Sequence, residues 1–326
     1  MSLLTQWISQ YSGLLRSFKG VYVLNNWVNR QKLKHNKSLY KQYGLRKSIY
    51  SNIGSHELKE VEGEVPWLDR KGAMESLKAH PDYAQLDEAL QAQLQQFVED
   101  GYMILKGFYS EEEVDRLNGE VDRLLKEKRA NFNYTGRKVM DAFRLSPLID
   151  QQYFRNSRML QLLQFVMGQA IVPFQTINFI RGSEQRAHSD SIHMTTAPEG
   201  YMIATWTALE DMHQGNGPIV YYPGSHRLPY LTCEDYPSGN SKWRIGSHSN
   251  KRYEDRVEAL IKEHQLKPAY FLGKKGDVLI WHANLLHGGS KINREGASRR
   301  SMVAHYFCKG VICYHEMSQR PALLEQ

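Results

Sequence analysis

Cysteine is scarce in this 326-residue chain, with only Cys233, Cys308 and Cys313. An odd, sparse set without paired spacing excludes a disulfide framework. No Cys-x-x-Cys occurs, so a thiolate zinc site is not expected. No apolar run reaches the roughly 18 residues that a membrane-spanning helix needs. The first residues lack a charged leader, a continuous apolar stretch and a small-residue cleavage site. A secretory signal is therefore not expected, and a reducing cytoplasm is. Internal repeats and low-complexity tracts are also missing. With 41% hydrophobic and 24% charged residues, the composition suits a folded body with one substantial core.

Acidic residues are nearly absent from one end. Residues 1–60 hold ten Lys and Arg against Glu57 and Glu60 alone. This arm carries all of the formal charge of +7, and the rest of the chain is close to neutral. A nucleic-acid binder would spread its basic charge over the body, so no nucleic-acid partner is expected. Residues 3–28 have helical spacing, through Leu4, Ile8, Tyr11, Leu15, Phe18 and Tyr22. Such a helix can pack on the body or on a second subunit, giving a homodimer. Its Trp and Leu face beside Lys and Arg also suits peripheral contact with an acidic membrane surface. The basic run from Arg30 to Lys47 is otherwise a solvated face.

The texture changes along the chain. Residues 51–95 read as a linker and cover segment, with helical spacing from Leu86 to Phe97. Gly101–Leu105 reads as a short strand. Ser110, followed by Glu111, Glu112 and Glu113, reads as a helix N-cap. After about residue 170, short apolar runs alternate with glycine-rich turns: Ile171–Ile180, Tyr201–Leu209, Pro218–Tyr222, Ala269–Leu272, Asp277–Trp281 and Ser301–Cys308. This pattern predicts a mainly β antiparallel barrel or sandwich with helical additions. The long polar stretch 229–267 reads as a lid-like insertion.

The chemistry centres on His188-Ser189-Asp190. On a strand, positions i and i+2 point to one side, so this pair would offer an imidazole nitrogen and a carboxylate oxygen to one point. His287, after the strand Gly276–Trp281, is the candidate third ligand. Two imidazoles and one carboxylate leave coordination positions open and suit Fe(II) with a bidentate 2-oxo acid and O₂. His193 could replace His188 in another geometry, although substrate contact suits it better. Arg299 stands twelve residues after His287 and could hold a carboxylate through two parallel bonds. Gln175 and Asn178 could touch the same ligand or make structural bonds. His226 and His282 are read as turn-holding or packed residues.

These motifs together resemble the phytanoyl-CoA dioxygenase family. The resemblance runs through Phe97–Tyr102, His188-Ser189-Asp190, Trp206–Asp211, Asn216-Gly217-Pro218, Pro223–His226, Gly276-Asp277, His287-Gly288 and Arg299. It implies a double-stranded β-helix (jelly-roll, cupin-like) core over residues 96–318, preceded by the helical arm 1–50. It implies that His188, Asp190 and His287 bind Fe(II), that Arg299 grips 2-oxoglutarate, and that Trp206 lines the co-substrate. The family's His-Gly-Ser appears here as His287-Gly288-Gly289-Ser290, which passes the hydroxyl role to Ser290. The arginine is then one residue further away than usual, and Arg300 is its rival. The implied activity is a dioxygenase acting on a C–H bond of a small-molecule or lipid- or glycan-linked metabolite, releasing succinate and CO₂. Desaturation, cyclisation and epimerisation can use the same triad. A non-catalytic binding protein on the same barrel is the alternative, as is a redox-inactive cupin-type metal enzyme. The intact triad and the arginine argue against both.

Overall fold

A computed structural model describes residues 17–59, 61, 63–133 and 136–325. The first half of the expected helix 3–28 therefore lies outside the described residues. Its second half is helix α1, Lys19–Val28.

Twelve strands form among the described residues. In chain order they are β1 Tyr102–Leu105, β2 Lys138–Met140, β3 Ile171–Phe179, β4 Thr195–Ala197, β5 Met202–Ala208, β6 Ile219–Tyr221, β7 Ala269–Tyr270, β8 Val278–His282, β9 His287–Gly289, β10 Ser301–Cys308, β11 Ile312–His315 and β12 Arg320–Pro321. The large sheet has the order β1-β8-β5-β10-β3-β2, and a smaller sheet has the order β7-β6-β9. A third sheet, β12-β11-β4, extends the assembly. All strand pairs are antiparallel. The result is a jelly roll with helical additions, and each strand expected from the apolar runs is present within a residue or two of its expected limits.

The central strands do not alternate in burial. Every residue of β5, β8 and β10 is buried. The reason is that both faces of the large sheet are covered. Helix α2, Glu88–Asp100, and helix α3, Glu111–Lys126, share one core with these strands through Leu94, Phe97, Val114, Leu117, Val121 and Leu124. The Ser110 cap forms as the sequence predicts, accepting from the Glu113 N–H while Glu113 returns to the Ser110 N–H.

Residues 33–58 do not stand apart from the body. Leu33, Leu39, Tyr40, Ile49, Ile53 and Leu58 pack with Ala197, Ile312 and Tyr314 in a second buried cluster. The insertion is also anchored. Its helix α4, Ser249–Glu263, buries Tyr253, Val257 and Leu260. The arm and the insertion are tied together. The Lys19 N–H donates to Trp243 O at 3.0 Å, the Ile245 N–H donates to Ser17 O at 2.8 Å, and the Lys19 ammonium donates to Ser241 O at 2.6 Å.

Candidate metal and co-substrate site

Position in the sheets decides which residues meet. On β10, Val303 pairs with Ile177 on one side and Trp206 on the other, and His305 pairs with Gln175 and Ala204. Odd-numbered β10 residues thus share the inner face with Gln175, Ile177 and Phe179 of β3. A cavity of about 1050 Å³ lies inside, within the size range of ligand sites. His188, Asp190, His287, Arg299, Trp206, Gln175 and His193 all line it. Ser290 does not, although its hydroxyl is buried without a hydrogen-bond partner.

The spacing predicts the His-x-Asp pair on a strand, but the pair is not on a regular strand. His188 forms a two-way backbone bridge with His287: each N–H donates to the other's carbonyl at 2.9 Å. Asp190 then opens a short 3₁₀ turn, Asp190–Ile192. The bridge places the two imidazoles side by side, with ring centroids 4.5 Å apart. The turn swings the carboxylate onto them, and Asp190 Oδ1 lies 3.9 Å from His188 Nε2 and 3.8 Å from His287 Nε2. One atom from each of the three residues falls within 4.8 Å of the others, an arrangement that could hold a metal ion. His193 does not join this group.

Each group in the set is aimed by a second bond. His188 Nδ1 lies 2.9 Å from Arg186 O, and His287 Nδ1 lies 3.0 Å from Leu285 O. Those carbonyls fix the protons on Nδ1 and leave both Nε2 atoms unprotonated, that of His188 lying 3.3 Å from the Gln185 amide nitrogen. The Trp281 indole N–H donates to Asp190 Oδ2 at 2.8 Å, leaving Oδ1 for the metal. His305 Nε2 stands 3.5 Å from the same Oδ2. Burial pushes the His188 proton affinity down to about 3, helped by the charge of His287. Burial opposes ionisation of Asp190, but His287 and His305 outweigh it and hold the carboxyl below its usual range. A neutral His188 imidazole and an ionised Asp190 carboxylate are the protonation states that bind a divalent cation.

Arg299 is 1% exposed and lies 5.4 Å from the ring centres of Phe179 and Trp206. It donates one long hydrogen bond, from Nη1 to Gly217 O at 3.4 Å, and its Nε has no partner. Burial lowers its pKa to about 10. No described acidic side chain forms an ion pair with it. Arg300 pairs with Asp122 at 2.9 Å and does not line the cavity. Lys138 adds a second cation that the sequence did not single out. It lines the cavity, and its ammonium lies 3.3 Å from Gln185 Oε1 and 5.5 Å above Phe179. Burial lowers its pKa. A lone Lys on a three-residue strand carries no sequence signal that separates it from a solvated one. The two cations and the unpartnered Arg299 Nε fit a dicarboxylate, and the donor set of the triad fits Fe(II).

The extra glycine has a steric reason. A Cβ on Gly289 would lie 2.6 Å from Ser183 Oγ and 2.8 Å from Glu184 N, and one on Gly288 would lie 2.7 Å from Gln185 O. Strand β9 therefore packs backbone-to-backbone on the segment leading into His188. Gly289→Ala is expected to lower stability by about 1–3 kcal/mol through overpacking, and to weaken metal binding by displacing His287. Thermal melts with and without Fe(II) check this, and an unchanged melting temperature in both states contradicts it.

His282 and His226 stay outside the cavity. His282 Nε2 meets Asp69 Oδ2 at 3.0 Å, and the two imidazoles pack at 5.4 Å. The insertion instead forms a wall beside the triad. The Tyr253 hydroxyl accepts from the Ser189 N–H at 2.9 Å, and Arg186 pairs with Glu254, Asp255 and Glu258.

Comparison with known proteins bears on this arrangement. Residues 97–301 match the sequence model of the phytanoyl-CoA dioxygenase (PhyH) family. The chain is 22% identical over 254 residues to the peroxisomal phytanoyl-CoA dioxygenase of Bos taurus, covering 70% of this chain and 72% of that protein. It is 28% identical over 220 residues to an ectoine dioxygenase of Nocardia farcinica, covering 61% and 71%. Among solved structures, EctD from S. alaskensis with 2-oxoglutarate and 5-hydroxyectoine is similar in fold, with a TM-score of 0.56 at 19% identity, covering 72% of this chain and 83% of that one.

Proposed function

Because the chain belongs to the phytanoyl-CoA dioxygenase family, and is a non-haem Fe(II)- and 2-oxoglutarate-dependent dioxygenase, we propose that His188, Asp190 and His287 hold the iron and that Arg299 anchors the far carboxylate of 2-oxoglutarate. The observation that carries this reading is the convergence of three aimed ligand atoms and an unpaired buried guanidinium in one cavity. Bound Fe(II) supplies the redox chemistry: 2-oxoglutarate, O₂ and a substrate R–H give succinate, CO₂ and R–OH. The protein's own part is placement. Trp281 and the two backbone carbonyls hold the ligands in orientation. Phe179 and Trp206 exclude water from Arg299, which strengthens its grip on a carboxylate. Hydroxylation of a small-molecule C–H bond is the proposed outcome, since Asp190 occupies a coordination position that would otherwise be free.

The deciding experiment is anaerobic. Fe(II) and 2-oxoglutarate added to the purified protein should give a weak visible charge-transfer band, and O₂ should then release succinate. Neither band nor succinate under any condition would sink the assignment.

The described part of the arm supports a second proposal, about location. Helix α1 exposes Val21, Leu24, Trp27 and Val28, and Trp243 of the insertion is 69% exposed. Lys19 bonds to Trp243, so these apolar groups are neighbours. Arg30 lies 5.4 Å from the Trp27 ring, and Lys242 lies 5.4 Å from Trp243. Lys34, Lys37 and Lys41 are exposed close by. Aromatic and aliphatic groups mixed with cations suit the headgroup layer of an anionic membrane. No described helix is long and apolar enough to cross a bilayer, so such contact would be peripheral. The double variant Leu24→Glu/Trp27→Glu is expected to cut sedimentation with phosphatidylglycerol vesicles about tenfold or more, as expected from losing buried apolar area. Equal sedimentation, or a shift from dimer to monomer without vesicle binding, rejects the lipid reading.

A further inference from the structure

A second cavity of about 340 Å³ adjoins the metal cavity. Gln175, His193, Met194 and His315 line both. Much of its remaining wall comes from outside the family-matched segment 97–301: Asn25 and Asn26 of α1, Phe307 of β10, Tyr314 of β11, and the C-terminal Ala322 and Leu323. The residues that this chain adds to the family pattern thus converge on a space beside the metal site.

The chemistry of that wall is specific. The Gln175 amide and the His193 imidazole hydrogen-bond to no other described residue, yet both sit where the two cavities meet. The His193 ring packs 5.3 Å from that of His315. His315 is held neutral by burial, and its Nδ1 accepts from the Ser318 N–H at 3.3 Å. Its proton is therefore on Nε2, where it can donate. The charged side chains at this wall are Asp141, Arg144 and Arg320, the last 5.8 Å from the Tyr22 ring. Asp141 lies 3.6 Å from Arg144, which also pairs with Glu325. Phe174 and Phe307 add aromatic surface, their rings 4.8 Å apart.

We infer that this second cavity is the substrate-specificity pocket, and that it takes a hydroxyl-bearing ring of glycosyl type whose C–H bond is presented past His193 to the metal cavity. The inference rests on the dioxygenase reading above. An acyl chain would bury the Gln175 and His193 polar atoms without partners. Hydroxyl groups satisfy both free side chains, and the apolar edge of a sugar ring suits the Phe174–Phe307 surface.

Ligand-detected saturation-transfer NMR on the full-length protein tests this without turnover. The probes are methyl glucoside, methyl mannoside, methyl N-acetylglucosaminide, acetyl-CoA and betaine. At least one glycoside is expected to bind, and acetyl-CoA and betaine are not. Asn25→Trp, which fills the cavity from the exposed side of α1, is expected to weaken glycoside binding at least tenfold. Gln175→Ala, which removes one free amide, gives a second measurement with an expected loss of about tenfold. Far-UV circular dichroism is recorded for every variant to show that the fold is kept, and the Fe(II)/2-oxoglutarate band is recorded for the unaltered protein. No glycoside signal, a signal that both variants leave intact, or selective binding of acetyl-CoA or betaine each overturns the inference. Loss of the band in the unaltered protein would instead condemn the dioxygenase reading, because the NMR result does not depend on iron.

Discussion

Asp190→Ala is expected to remove the Fe(II)/2-oxoglutarate band and all succinate formation. The carboxylate is the sole anionic member of the triad, and its Oδ1 lies within 4 Å of both Nε2 atoms. Without it, two neutral imidazoles must hold a dication alone. The Trp281 indole and His305 would also face an empty space where Oδ2 had been. Partners of ligands typically cost 10–100-fold in metal affinity or activity when removed, so loss of a ligand should exceed about a hundredfold. Trp281→Phe sets the scale. It keeps the carboxylate but removes its donor, and a loss of about 10–100-fold is expected. An anaerobic Fe(II) titration of the three proteins orders them, with far-UV circular dichroism as the check on folding. If Asp190→Ala binds Fe(II) as the parent does, Asp190 is not the carboxylate ligand.

The parts of the fold that the sequence announces are those with strong local patterns. β5, β8 and β10 are apolar throughout and bounded by turn residues, and they form close to where they are expected. The Ser110 cap is equally local. The candidate site was legible for a different reason: the residues that could hold a metal sit in short motifs whose residue types have few other uses together. The backbone beneath them was not legible. His188 and Asp190 share a target because of a long-range bridge to His287 followed by a 3₁₀ turn, not because of strand alternation. Lys138 was missed because its cavity position depends on pairing of β2 with β3. The support that Trp281 gives Asp190 joins residues 91 positions apart and leaves no mark in either motif. The same holds for the arm. Its basic composition suggests a solvated segment, yet Lys19 is 3% exposed because its partners, Ser241 and Gln319, are distant in sequence.

Arg299→Met should separate stability from co-substrate binding, with opposite signs. In the absence of 2-oxoglutarate, this guanidinium is a charge taken out of water with no anionic partner among the described residues. Replacing an uncompensated buried charge with an apolar chain of similar length between Phe179 and Trp206 is expected to leave the melting temperature unchanged or to raise it. The co-substrate then loses its bidentate partner. Truncating one side of a buried charge pair costs about 2–5 kcal/mol in binding, which is roughly 30-fold to several thousandfold in affinity. The parent should gain melting temperature as 2-oxoglutarate is added, because a ligand that binds only the folded state stabilises it. The variant should gain almost nothing at the same concentrations. Arg300→Met is the comparison. Its side chain pairs with Asp122, which is more than half exposed, so the change is expected to shift stability by less than about 1 kcal/mol and to leave 2-oxoglutarate binding as it was. The anchor is misassigned if Arg299→Met keeps the full ligand-induced rise, and the rival is restored if Arg300→Met loses it. A fall in the ligand-free melting temperature of Arg299→Met would instead show that the guanidinium has a structural partner in the folded protein.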